Sequence, residues 1–311
     1  VQARTPLDFE IAKPRTRLEA LSWWFERNIA YVLILPTILG IALITLYPLG
    51  YAFVISFQDK RLRSKESPFI WFDNYRAIVS DSEIWHSIWT TLIFAGLSVT
   101  GSFVIGLILA LLLNRPLRGR RYIRSLFIIP WAIPAFVAAL TWSWMFNDQF
   151  GIITAQLRDW GVDNPPIWLD KEHALWSLIG VMTWKSFPFQ LVILLAGLQT
   201  ISPELYEAAA VDGANPLQRF RAITLPLLRP VAMVSVLLAA INAFHYFPIP
   251  WIMTRGGPSN ATNVISIETY NQAFQAGNFG RGAAAAFLMF AFILAISSLY
   301  IWAYIREVRN R

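Results

Sequence analysis

The sequence predicts an all-α polytopic membrane protein with six transmembrane helices and a cytoplasmic helical hairpin between the fourth and fifth. Three observations carry that prediction. The 311 residues are 56% hydrophobic and only 14% charged, against about 25% charged residues in ordinary soluble domains. Six stretches are apolar over the roughly 20 residues that a helix needs to cross a bilayer core. Between the fourth and fifth of these, from Glu204 to Pro230, the chain reads instead as short, capped, charge-bearing helices.

The elements follow in order. Residues 1–28 form a polar, basic arm that ends in RLEALSWWFERN, an interfacial helix with Trp23 and Trp24 at headgroup level. The arm contains no apolar core or small-residue cleavage site, so no cleavable secretory signal is expected. The transmembrane domain, 29–311, holds spans over 29–57, 88–113, 122–146, 173–198, 231–254 and 283–305. The first span carries Pro36 and Pro48 but no charge, and the third carries Pro130 and Pro134. Neighbouring helices or waters can take up the carbonyls that such prolines free, so these spans read as kinked helices.

The hairpin, 202–230, is specified by its caps. Ser202 is a good N-cap and Pro203 suits the first helical position, with Glu204 and Glu207 near the positive end of the helix dipole. Gly213 can take the left-handed conformation that ends a helix. Asn215 caps again, Pro216 starts a second helix, and Pro226 is expected to stop it. Leu205, Ala208, Ala209 and Asp212 share one face, which the alanines keep low enough for a partner's groove to close over. The same features also describe an ordinary capped loop between helices.

Charge sets the orientation. Arg4, Lys13, Arg15, Arg17 and Arg27 precede the first span; Arg115, Arg118, Arg120, Arg121 and Arg124 lie between the second and third. The hairpin adds Arg219, Arg221 and Arg229, and the C-terminus adds Arg306, Arg309 and Arg311. With six spans these regions share one side, which is therefore cytoplasmic and holds both termini. The opposite loops are poorer in Lys and Arg, except for DKRLRSK after the first span. The net charge of +7 thus reports topology and gives little support to a nucleic-acid partner.

Composition also excludes chemistries. With no cysteine, disulfides and cysteine-ligated metals are ruled out. All nineteen Asp and Glu residues fall outside the spans, whereas ion-coupled carriers place ionisable relays within them. Only Lys185 and His245 could serve, and neither has an acidic partner inside a span. The three histidines include no H-E-x-x-H pair, so no catalytic group and no metal site is expected.

The segment EAAAVDGANPLQRFRAITLPLLRP resembles the EAA loop of ABC importer permeases, E-A-A-x-x-x-G followed at nine residues by I-x-L-P. Glu207, Ala208, Ala209 and Gly213 supply the first half, and Ile223, Leu225 and Pro226 the second. RPLRGRRYIRSLFIIPWAIPAFVAALTWSWMF and WKSFPFQLVILLAGLQTISPELYEAA are similar to the carbohydrate-type permeases over the second-to-third spans and the approach to the loop. MTRGGPSNAT resembles the T-x-G-G-P-x-x-x-T stretch of their maltose-permease and glycerol-phosphate-permease branch. The resemblance covers nearly the whole chain.

It implies one permease of a pair, the second being usually a different chain, in the cytoplasmic membrane of a bacterium or archaeon. Two ATPase subunits would each receive one hairpin, and an extracytoplasmic binding protein would deliver a carbohydrate. ATP and Mg belong to the ATPases, since none of the five lysines here follows a glycine as a Walker A motif requires. No cofactor is expected in this chain. Glu207, Ala208, Ala209, Asp212 and Gly213 would make the coupling surface.

By the same resemblance, solute contacts come from the fourth and fifth spans, at Lys185, Ser186, Phe189, Ala243, Tyr246 and Pro248. Phe189 and Tyr246 suit stacking on sugar rings, and equally suit packing. Lys185 would favour an anionic solute such as an acidic oligosaccharide or a phosphorylated polyol if it faces a wet cavity; otherwise it serves backbone carbonyls. Phe247-Pro248 departs from the F-D of many relatives, and Pro248 and Pro250 should interrupt the helix. An ion-coupled carrier and a non-transporting scaffold subunit are the alternative functions.

Overall fold

The computed structural model describes residues 17–115 and 118–309; Arg4, Lys13, Arg15 and Arg311 lie outside the described residues, as does most of the basic arm. The chain divides into two compact units, Val1–Ile55 and Ser56–Arg311. The first holds α1 (Arg17–Ile41), a π turn at Ala42–Leu46, and all but the last residue of α2 (Tyr47–Ser56). Asn28–Ser56 has the length and apolarity of a membrane span. Its π turn lies directly before Pro48, where a wide turn relieves the clash of a proline ring with the preceding carbonyls.

The second unit continues with α3 (Asp73–Val79), α4 (Ser82–Leu113), α5 (Arg120–Ala132), α6 (Ala135–Met145), α7 (Ile152–Asp159) and α8 (Ala174–Gln199). These are followed by α9 (Pro203–Val211), α10 (Pro216–Arg219), α11 (Leu225–Phe244), α12 (Pro248–Thr254), α13 (Ile265–Tyr270) and α14 (Phe279–Arg309). The fold is helical as expected. Among the described residues five helices could each cross a membrane, and α5 with α6 makes a sixth if that pair, bent by 91°, counts as one span. The third span is therefore broken at Ile133–Pro134 and is much more than kinked.

The centre of the unit is the packing of α4 on α8. Between helices in lipid the hydrophobic effect gives little, so close approach of small residues must hold them. Ser87, Thr91, Ala95, Ser98, Ser102, Gly106 and Ala110 form one buried stripe along α4. At Gly106 the helices nearly touch: a Cβ there would meet the Gln190 Cβ at 2.6 Å and the Leu191 backbone nitrogen at 2.9 Å. Gln190 is itself fully buried and donates through Nε2 to the Ser235 carbonyl, tying α8 to α11.

Two features of the fifth span bear on expectation, and the first is a difference. Pro226 does not stop the hairpin's second helix. Pro216–Phe244 is one continuous helical segment of 29 residues, with a π turn at Phe220–Thr224 just before the proline. That turn contains Ala222, whose carbonyl an α-helix would have pressed against the Pro226 ring. At the other end the helix is interrupted as expected: it stops at Phe244 and resumes at Pro248, which takes the first position of α12, and runs on through Pro250 to Thr254.

Short helices α3, α7 and α13 form part of the connections between spans. Ile265 N–H donates to Thr91 Oγ1 at 2.8 Å, fastening α13 to α4. The T-x-G-G-P stretch folds back on itself: the Thr254 and Thr262 hydroxyls meet at 2.7 Å, and Thr262 reaches the Gly257 carbonyl. Asp170 ends the loop before α8, accepting from the backbone N–H groups of His173 and Glu172. The His173 backbone N–H holds its carboxyl below the usual carboxylate range.

Candidate functional site: a hairpin and a cavity joined by two helices

The hairpin is built as its caps demand. Ser202 Oγ accepts from the Glu204 N–H at 3.3 Å. Gly213 has φ of +79°, and the Ala214 N–H reaches back to the Ala209 carbonyl while the Gly213 N–H reaches Ala210. These two bonds are the Schellman closure, which needs a left-handed residue at this point. Asn215 and Gln218 then form a reciprocal capping box at 2.9 and 2.7 Å.

Its base is anchored and its tip is bare. The Tyr206 hydroxyl meets Thr224 Oγ1 at 3.0 Å, joining the two arms. Tyr206 and Ile223 pack on a core of Leu194, Leu198, Ile201 and Leu228. Glu207, Ala208, Asp212 and Gly213 are exposed and Ala209 is half-buried. Val211, at the end of α9, is 88% exposed, a branched apolar side chain among alanines and beside Asp212.

At the other site, Trp131, Lys185, Ser186, Phe189, Leu238, Ala239, Asn242 and Tyr246 line a cavity of about 380 Å3 between the third, fourth and fifth spans. Four of the six residues expected in the solute path thus meet here: Lys185, Ser186, Phe189 and Tyr246. Ala243 and Pro248 do not line it. Ala243 is 2% exposed within the core, and Pro248 opens α12. Trp131, Leu238, Ala239 and Asn242 were missed. Asn242, an uncharged polar residue inside an apolar span, was the signal available in the sequence.

Lys185 is only 9% exposed. Its Nζ donates to the carbonyls of Pro130 at 2.9 Å and Trp131 at 3.0 Å, and to that of Ile133. Of the two readings of this lysine, backbone service describes its geometry. His245 lies just beyond α11, with Nδ1 at 2.6 Å from the Ile241 carbonyl, and does not line the cavity.

The two sites share their supports. α8 carries Lys185, Ser186 and Phe189 and leads into α9, while Pro216–Phe244 runs from the hairpin to Leu238, Ala239 and Asn242. Pro216–Phe244 is continuous helix between the two, whereas α8 and α9 are separated by residues 200–202.

Comparison with known proteins agrees with this architecture. Residues 102–309 match the family described as binding-protein-dependent transport system inner membrane component. The chain is 37% identical to the trehalose/maltose transport system permease protein MalF of Thermococcus litoralis, over 89% of this chain and 93% of that one. It is 34% identical to the sulfoquinovosyl glycerol transport system permease protein SmoG of Agrobacterium fabrum, over 89% and 90%. In fold it is similar to a chain of a bacterial ABC transporter involved in import of the acidic polysaccharide alginate, with a TM-score of 0.80 at 23% identity, over 92% of this chain and 99% of that one. The broken spans, the small-residue helix packing and these matches agree: the chain belongs to the binding-protein-dependent transport system inner membrane components, the permeases of ABC importers.

Proposed function

We propose that this permease forms half of the pathway for a saccharide and couples it to ATP hydrolysis through the 202–230 hairpin. The observation that carries the reading is the cavity: aromatic side chains of Trp131, Phe189 and Tyr246 stand beside the polar groups of Ser186 and Asn242. Aromatic faces with a few polar groups suit a sugar ring, whose C–H face is apolar and whose rim is hydroxylated. The names of relatives, trehalose/maltose and sulfoquinovosyl glycerol permeases, support the same solute class. The engaged ammonium of Lys185 argues against a requirement for an anionic sugar at that residue.

In this reading the hairpin and both termini are cytoplasmic. Two ATPase subunits supply ATP and Mg chemistry, a second permease completes the pathway, and an extracytoplasmic binding protein delivers the solute. Val211, Ala208 and the Gly213 turn offer the docking surface, with Glu207 and Asp212 as its charges. Closure of the ATPases would draw the hairpin and swing the cavity between the two sides of the membrane (alternating access). Gentle purification from the native membrane, with mass spectrometry of what accompanies the chain, tests the assembly. The reading expects a P-loop ATPase and a second six-span permease, with ATP-dependent uptake of saccharides in proteoliposomes. Uptake by this chain alone, without ATP, would refute it in favour of an ion-coupled carrier.

A further inference from the structure

The last four carbonyls of an α-helix have no donor of their own. α5 ends at Ala132, and the chain turns by 91° into α6. Pro134 cannot serve the Pro130 carbonyl four residues back, because it has no N–H. The Ile129 carbonyl keeps the Ile133 N–H, and the others need donors from elsewhere in the fold. Lys185, more than fifty residues along the chain, supplies what is missing: its Nζ meets the carbonyls of Pro130, Trp131 and Ile133. An ammonium has three protons, so this set occupies all of them. The cation also sits at the negative end of the α5 dipole.

The position of this cap matters because Trp131 and Lys185 line the same cavity. The lysine holds the backbone of a second residue that lines that cavity. We propose that Lys185 is a positioning residue: it pins the break in the third span and thereby sets Trp131 against the cavity, and it does not act as a ligand for solute charge. The consequence for uptake rests on the cavity being the solute path; the pin itself does not.

The chain contains no cysteine, so labels can be placed without background. Tyr122 and Trp144, near the far ends of the two arms of the break, are 82% and 72% exposed. Spin labels at Tyr122→Cys and Trp144→Cys, in the assembled permease in lipid nanodiscs, report the angle by pulsed electron resonance. The parent should give a single narrow distance population. Lys185→Met, of similar length but without donors, should shift it or split it into two, and Lys185→Arg should restore most of the single population. In protein labelled with 5-fluorotryptophan, the resonance identified by its loss in Trp131→Phe should move in Lys185→Met.

An unchanged distance distribution together with an unmoved Trp131 resonance in Lys185→Met would overturn the proposal. If Lys185→Met fails to insert, Pro134→Ala in the same chain should rescue insertion by returning an N–H to the Pro130 carbonyl, and failure of that rescue would overturn it equally. The two readings fail separately. A moved distribution with saccharide uptake unaffected by Trp131→Ala would leave the pin standing and remove the cavity from the solute path.

Discussion

Replacement of Gly213 by Asp separates coupling from folding. Gly213 has φ of +79° with nothing within 4 Å of where a Cβ would stand, so a side chain there meets strain but no clash. The left-handed conformation costs an L-residue about 1–2 kcal/mol, and Asp and Asn visit it more readily than most. Opposing that are the Ser202 cap and the Asn215–Gln218 box, contributing about 1 kcal/mol each, and the Tyr206–Thr224 contact at the base. The hairpin should therefore stay folded, with a thermal midpoint lowered by only a few degrees. On the proposed function, what changes is the surface offered to the ATPase, which acquires a carboxylate at the tip of the turn. Co-purification of the ATPase should be preserved while ATP-driven uptake in proteoliposomes falls by more than tenfold. Gly213→Asn carries the same backbone strain without the charge and should retain most of the uptake. Parental uptake in Gly213→Asp, or equal loss in both variants together with loss of assembly, would refute the reasoning.

Three further outcomes are expected. Gly106→Ala should lower the thermal midpoint of the purified complex. The 2.6 Å approach to Gln190 Cβ forces α4 and α8 apart at a cost of about 1–3 kcal/mol, more than the ~1 kcal/mol that alanine contributes in a helix. Asn215→Ala removes the side-chain acceptor of the capping box and leaves only the bond from the backbone N–H of residue 215 to Gln218, so hydrogen exchange at the start of α10 should quicken about fivefold for the loss of roughly 1 kcal/mol. Phe189→Ala and Tyr246→Ala should each raise KM for the transported saccharide more than they lower kcat, since both side chains line the cavity and would act by binding; unchanged KM in both would remove them from the path.

The parts of this molecule that could be read in the sequence are those whose causes are local. Ser202, Pro203, Gly213, Asn215 and Pro216 specify their turn within a few residues, and the structure has the caps they call for. Helical character and span length follow from hydropathy over a window of similar reach. What escaped has a distant cause or a small local one. The carbonyls served by Lys185 lie 52 to 55 residues away, beyond any periodicity argument. Ala243 and Asn242 are neighbours, yet one faces the core and the other the cavity; which is which depends on the rotation of α11, set by packing against α4 and α8. Pro226 reads as a stop because prolines usually are, and only a π turn at Phe220–Thr224 lets the helix continue.

On the proposed function, that continuity makes the docking loop and the solute wall a single inherited piece. Within Pro216–Phe244, each inserted or deleted residue would turn everything beyond it by about 100°. One such change near Arg219 would swing Asn242 away from the cavity and carry a core residue such as Ala243 toward it. The length between the two ends can therefore change only in steps near a full turn if both are to keep their orientation. A hairpin grafted from a relative to suit a different motor keeps its solute preference only if the count of residues to Leu238 is preserved.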